Sequence, residues 1–453
     1  MFKRTLVVVL PFLLAPVLAL AQAPPQKPAC NPSFNGKVIC TLPQIYGETG
    51  LTLANPNHNA HFVGSFQQGF APLTLAVGTE LSLLPFASPA SGVIFQFDRS
   101  LGVVTRSTES YGPILAERAE TIGRHRLYLA ATYQFYDFSS IDGIDLNHIP
   151  AVYSHVEFPV AGVVPAFEHD FITTENRLDL KYHQVTFYAT FGITDRIDVS
   201  AAVPILDVRF GVTSAAHIVR IAPPDPSNRL AEPITGQFHY FSAADPNGSI
   251  DASFTNHDTA SGLGDVIFRV KGTVVKHERA RVALGLDVRA PTGDELNFLG
   301  AGGTGIKPFL AASYGARISP HANIGFEYNG DSILAGNVQT GATAKLPNQF
   351  FYSFGVDAGI NKKLTAAIDY LGQRVSSTVR VKEVPFVDEF GDAHPGVTQT
   401  VLTRDSLNLS DLALGLKYSP FGNFLVTGNV MVKLNDAGLR ANVVPLVGIS
   451  YTF

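Results

Sequence analysis

From residue 73 to the last residue the chain repeats one pattern. Apolar and polar side chains alternate over segments of about ten to fourteen residues, and then the pattern breaks. Period-two alternation marks a strand, because successive side chains leave an extended backbone on opposite faces. In 264–276, Val266, Phe268, Val270 and Val274 share one face, and Asp265, Arg269, Lys271 and Thr273 share the other. In 280–290, Val282, Leu284, Leu286 and Val288 oppose Arg281, Asp287 and Arg289. In 409–419, Leu412, Leu414, Leu416 and Tyr418 oppose Asp411 and Lys417. The closing "PLVGISYTF" sets Val447, Ile449, Tyr451 and Phe453 against Gly448, Ser450 and Thr452. Fourteen spans read this way: 73–84, 93–106, 125–138, 178–192, 197–211, 264–276, 280–290, 306–318, 322–332, 349–360, 363–376, 409–419, 423–433 and 442–453.

The connections alternate in length as regularly as the residues alternate in polarity. Short turns ("ITDR", "KHERA", "SPHA", "NKK", "PFGN") separate longer linkers at 139–177, 212–263, 291–305, 333–348 and 377–408. Antiparallel strands with short turns at one end and long loops at the other are the layout of a transmembrane barrel. The strand length agrees, since a tilted membrane strand needs about 9–11 residues. A soluble sandwich shows the same local alternation, but its strands are commonly about 5–6 residues long. Alternation predicts apolar side chains against lipid and charges in the lumen. The expected fold is therefore all-β: an antiparallel transmembrane barrel of about 14 strands over 73–453, preceded by an irregular segment, 22–72, that is free to plug the lumen or to hang in the periplasm.

Composition sharpens this picture. Among 453 residues, 32 Phe and 15 Tyr stand beside no Trp, so Phe and Tyr must build the aromatic girdles. Net charge is −5, with no basic footprint for nucleic acid. "MFKR", then "TLVVVLPFLLAPVLAL", then Ala19-Leu20-Ala21 read as a signal peptide over 1–21, which directs export to the outer membrane of a Gram-negative-type bacterium. Cys30 and Cys40 are the two cysteines, and in an exported chain they are expected to form a disulfide.

Motifs for chemistry are weak. "GAGGTG" (Gly300, Gly302, Gly305) fits a dinucleotide fingerprint but leads into an alternating segment where that site needs a helix. His58-x-x-His61 offers two imidazoles with no Glu or Cys ligand at useful spacing, and reads as a polar loop. No nucleophile elbow and no phosphate loop occur. Neither an enzyme nor a cofactor is expected. By parity, Arg126, Asp198, Arg269, Lys271, Asp287, Arg289, Arg317, Glu327, Asp357, Asp369, Asp411 and Lys417 should line the lumen. Their mixed signs fit an internal network better than the single-sign rings of an ion-selective pore. Pro204, inside a predicted strand, must interrupt a ladder and reads as a kink or a sideways opening.

Three stretches resemble the outer-membrane barrel family named for phenol meta-pathway degradation operons: "YGPILAERAETIGRHRLYLAATYQFYDF", "SGLGDVIFRVKG" and "RAPTGDELNFLGAGGTGIKPFL". That family is similar to the fatty-acid and toluene channel superfamily. The resemblance covers roughly 105–453. It implies a fourteen-stranded barrel and passive uptake of hydrophobic or aromatic small molecules. The alternatives are a general porin for polar solutes, or a structural or enzymatic barrel. The terminal Ile449, Tyr451 and Phe453 resemble the insertion signal read by the barrel-assembly machinery. Expected partners are that machinery, outer-membrane lipid and small hydrophobic solutes. The family's usual plug motif is missing from 22–72, and a cystine there departs from the family pattern.

Overall fold

The computed structural model describes residues 27–56, 58–85, 88, 95–98, 103–106, 110–155, 169–221, 238–277, 279–315 and 317–453. The expected signal peptide lies outside the described residues. Among them, 12 antiparallel strands close a barrel: β1 Leu127–Ile141, β2 Phe171–Gly192, β3 Ile197–Val219, β4 Val266–His277, β5 Ala280–Ala290, β6 Gly305–Tyr314, β7 Ile318–Asn329, β8 Gln349–Asn361, β9 Leu364–Val387, β10 Ala393–Tyr418, β11 Phe424–Lys433 and β12 Val443–Thr452. Each strand pairs with its neighbour in sequence. The ring shuts where β1 pairs with both β2 and β12, Leu129 facing Ala189 on one side and Tyr451 on the other. The Phe453 N–H completes the seam on the Leu127 carbonyl at 2.8 Å.

Alternation sorts the side chains as a membrane requires. Phe268, Val270, Leu284, Leu416, Ile449 and Phe453 are exposed on the outside, while Lys271, Asp287, Asp369 and Lys417 between them are buried inside. Polar-in and apolar-out is the reverse of a soluble core. This is an outer-membrane barrel, with its short turns on the periplasmic side.

Twelve of the fourteen predicted spans are barrel strands. The span 73–84 is instead the helix α2, Leu73–Leu81, which follows the shorter helix α1, Val63–Gly69. Every residue of α2 is buried. A helix covered on all sides carries no polar stripe, so "LTLAV" displays period two without being a strand. The span 93–106 contributes a hairpin, Phe95–Asp98 with Val103–Arg106, whose strands pair with each other and not with the barrel. Four predicted loops are partly strand, and one of them, 333–348, holds a hairpin of its own, Asp331–Asn337 with Ala342–Lys345. β9 and β10 run on as a paired ribbon to Val387 and Ala393, well into 377–408. β2 and β3 extend likewise, and the strand Asp251–Leu263 pairs with the far half of β3. Such ribbons need no lipid-facing apolar row, so the alternation that marks a membrane strand does not extend into them.

Two pieces of the chain fill the lumen. Residues 27–85, with α1 and α2, pack inside the long-loop end. There Lys37 reaches Asp294 at 2.9 Å, Thr41 reaches Asp258 at 2.8 Å and the Thr79 hydroxyl donates to the Leu334 carbonyl at 2.8 Å. Cys30 and Cys40 are bonded in this piece, with Cα atoms 5.7 Å apart. Residues 110–124 cross the opposite, short-turn end.

Candidate functional site: a lumen cavity between two stoppers

Between these two pieces lies a cavity of about 250 Å³. Its walls mix apolar and polar groups. Tyr136, Phe138, Phe309, Phe351, Leu371 and Met431 bring rings and aliphatic surface; Arg269, Asp287, Arg289, Lys307, Glu327 and Asp411 bring charge. Cations stand over two of the rings, the Arg269 guanidinium 4.8 Å from the Phe309 centroid and Lys307 Nζ 4.9 Å from that of Phe351. The charges are paired across strands. Arg269 Nε donates to Asp287 at 2.6 Å, Lys307 lies 3.2 Å from the same carboxylate, and Arg289 spans Asp265, Glu327 and Asn329 at 3.1, 3.2 and 2.6 Å. Arg440 clasps Asp411.

The floor is segment 110–124. It has no ladder of its own, so the wall satisfies its backbone. Lys271 donates to the Arg118 and Glu120 carbonyls at 3.1 and 2.9 Å, and the Thr273 hydroxyl to that of Ala119 at 2.7 Å. Lys417 takes the Tyr111 carbonyl at 3.1 Å and also that of Pro113; Asp198 accepts the Ile122 N–H at 2.9 Å. Asp357 binds Ser110. His321 bridges Asp357 and Asp369 at 3.2 and 2.6 Å beside it. Glu117 reaches up from the segment to Lys271 at 2.8 Å and to Arg269. Burial pulls its carboxyl up, but Lys271 and Arg269 prevail and hold it below the usual range. In the ceiling, burial pushes Glu80 up to about 8.

The twelve residues expected in the lumen therefore divide three ways. Arg269, Asp287, Arg289, Glu327 and Asp411 line the cavity. Lys271, Asp198, Lys417, Asp357 and Asp369 are buried at or beneath the floor. Arg126 and Arg317 stand at the short-turn rim, Arg126 half-buried and Arg317 exposed with its guanidinium on the Gly359 and Ile360 carbonyls. Glu80, Glu117, Lys307 and Arg440 were missed. The signal for Glu117 lay in "AERAET", a charge cluster outside any alternating segment.

The two glycine motifs meet at one break in the wall. Gly264 and Asp265 interrupt the run from the strand Asp251–Leu263 into β4, and Asp265 accepts N–H donors from Gly293 at 3.0 Å and Ala301 at 2.8 Å. A Cβ on Gly293 would lie 2.3 Å from the Leu299 carbonyl, so only glycine fits there. "GAGGTG" leads into β6, a strand, as expected of a loop rather than a dinucleotide site. Pro204 does not break β3, which runs through it; its carbonyl accepts the Gly264 N–H at 2.8 Å where the neighbouring strand is interrupted.

Among solved structures, the COG4313 outer membrane channel from Pseudomonas putida F1 aligns with 75% of this chain and 99% of its own at 10% identity and a TM-score of 0.44. A Pseudomonas aeruginosa FadL homologue aligns with 73% of this chain and 90% of its own at 10% identity and a TM-score of 0.30. The Ralstonia pickettii toluene transporter TbuX aligns with 74% of this chain and 92% of its own at 12% identity and a TM-score of 0.28. No curated protein matches the sequence. Residues 194–385, from the turn before β3 almost to the end of β9, match the sequence model of the family described as "Putative MetA-pathway of phenol degradation". That match covers both glycine motifs and bears out the resemblance drawn from them: over these residues the barrel is similar to the family of phenol-degradation type.

Proposed function

We propose that the barrel carries hydrophobic or aromatic small molecules passively across the outer membrane, and that the cavity is a waiting station on that route. The observation that supports this most directly is the lining: rings and aliphatic surface around about 250 Å³, with paired polar groups within reach. A dry apolar cavity of ~150 Å³ is known to take up benzene, so one substituted ring fits the volume here. Arg269 and Lys307 would donate to the hydroxyl oxygen of a phenol while Phe309 and Phe351 face its ring. On this reading the helical piece with α1 and α2 and the segment 110–124 act as a plug in two parts, and a solute passes when one part gives way. A general porin for polar solutes is the weaker reading, because chain occupies both ends of the lumen.

The test is solute binding to the purified barrel and uptake by cells that produce it. Toluene or phenol should bind saturably. Met431→Trp, which fills the cavity, should weaken binding at least about tenfold, the equivalent of roughly 1.4 kcal/mol, and slow uptake in parallel. Uptake of aromatics unchanged in a correctly folded Met431→Trp barrel would remove the cavity from the route.

A further inference from the structure

Four histidines converge at the long-loop mouth from three separate pieces of chain. His58 and His61 precede α1, His155 follows the strand Ile149–Ser154 in the first long loop, and His239 lies in the connection from β3 to the strand Asp251–Leu263. Each offers one ring nitrogen within 4.8 Å of the other three. His61 Nδ1 is 3.3 Å from His58 Nδ1 and 3.4 Å from His239 Nε2, and the His155 ring meets the His61 ring with centroids 4.1 Å apart. In the sequence, His58-x-x-His61 has no further ligand at useful spacing and reads as a polar loop. The missing ligands are histidines that lie roughly a hundred and two hundred residues along the chain, where no spacing rule reaches.

The two nitrogen–nitrogen distances match a coordination tetrahedron. Metal–imidazole bonds of about 2.0–2.1 Å set neighbouring ligand nitrogens about 3.3–3.4 Å apart. Hydrogen bonding among the rings accounts for the same contacts less well. A ring nitrogen carries either one proton or one lone pair, so His61 Nδ1 serves one of its two neighbours but not both. A single cation uses every lone pair at once. His239 supplies independent support. Its Nδ1 lies 2.7 Å from Asp170 Oδ2, and the other oxygen of that carboxylate accepts the Ile221 N–H at 2.9 Å. A fixed carboxylate on the far nitrogen sets the tautomer and turns the Nε2 lone pair into the cluster, the usual support behind a metal-bound histidine. The His239 side chain is fully buried, and Asp170 nearly so.

We propose that His58, His61, His155 and His239 bind one divalent transition-metal ion that takes imidazoles tetrahedrally, zinc above all, and that the ion staples the N-terminal segment to two of the long loops. Four protein ligands leave no open position, so the site is a clip and not a catalytic centre. It stands apart from the cavity and does not depend on what the cavity carries.

The test uses the full-length barrel in detergent, without a polyhistidine tag, stripped with EDTA and dialysed. Zinc chloride titrated against a chromophoric chelator should give one ion per chain, and cobalt chloride should give the intense visible absorption of a tetrahedral complex. His61→Ala and His239→Ala should each weaken zinc binding at least about 100-fold, and Asp170→Asn about 10–100-fold. His257→Ala, exposed on the neighbouring strand, should leave it unchanged. Heat-modifiable migration checks that each variant is folded, and the cobalt spectrum of the unaltered protein needs no variant at all. Bound zinc should also slow protease cleavage ahead of α1. Absence of saturable zinc binding, an octahedral cobalt spectrum, or equal affinity in His61→Ala and His239→Ala overturns the site. Zinc binding with no change in cleavage overturns the staple.

Discussion

Glu80 is the next-to-last residue of a helix that is covered on every side, and its side chain is buried. The Leu439 N–H donates to its Oε2. Burial is the largest influence on it and raises its pKa from the ordinary 4.5 to about 8; Asp142 adds to the rise, while the Leu439 N–H, Arg380 and Arg440 oppose it. A carboxyl whose folded pKa lies above its unfolded value favours the docked state fully below the unfolded pKa, and the advantage is lost as pH climbs through the folded one. Docking of α2 against the strand Leu439–Ala441 should therefore weaken between about pH 4.5 and 8 and level off above that. Protease access to 73–85, or amide exchange there, should rise across that window, and Glu80→Gln should flatten the profile. A flat profile in the unaltered protein would show that Glu80 is not the group in control.

At the scale of elements, segment 110–124 is a floor built without regular structure, and its stability rests on charges that the wall supplies. Glu117 is central, because Lys271 and Arg269 both reach it. Glu117→Ala leaves those buried cations short of a partner, a change that costs roughly 3–5 kcal/mol when a buried pair is broken. Amide exchange in 110–124 should quicken accordingly while the strand amides stay protected. Unchanged exchange would mean that backbone contacts alone hold the floor. The barrel strands themselves were legible: β4, β5 and β10 show the lipid face and the lumen face in plain alternation, and the inward Arg269, Asp287 and Lys417 followed from parity. The floor was not, because "YGPILAERAETIG" has no period and its contacts come from strands up to three hundred residues away. The helix α2 was misread for a related reason. Burial on all sides removes the polar stripe by which a helix announces itself, and "LTLAV" then shows only its accidental period of two.

For the whole molecule, stoppering at both ends changes what a truncation should do. If the N-terminal segment alone closed the lumen, removing it would open a pore. In this barrel the floor is a separate piece, anchored by Lys271, Lys417, Asp198 and Thr273 at the opposite end from α1 and α2. A twelve-strand cylinder lies between eight-strand barrels that side chains fill and sixteen-strand porins that hold a water channel, so clearing it should leave a conducting lumen. The full-length barrel should therefore conduct poorly in planar bilayers. Deleting residues 27–84 should leave conductance low, because the floor stays. Deleting 27–84 together with Glu117→Ala should raise it well above either change alone, and that excess over additivity is the quantity to measure. A full-length barrel that already conducts as a wide porin would contradict the closed lumen. A pore opened by the deletion alone would show that segment 110–124 is held in place from above, by the helices, rather than by the strands it touches.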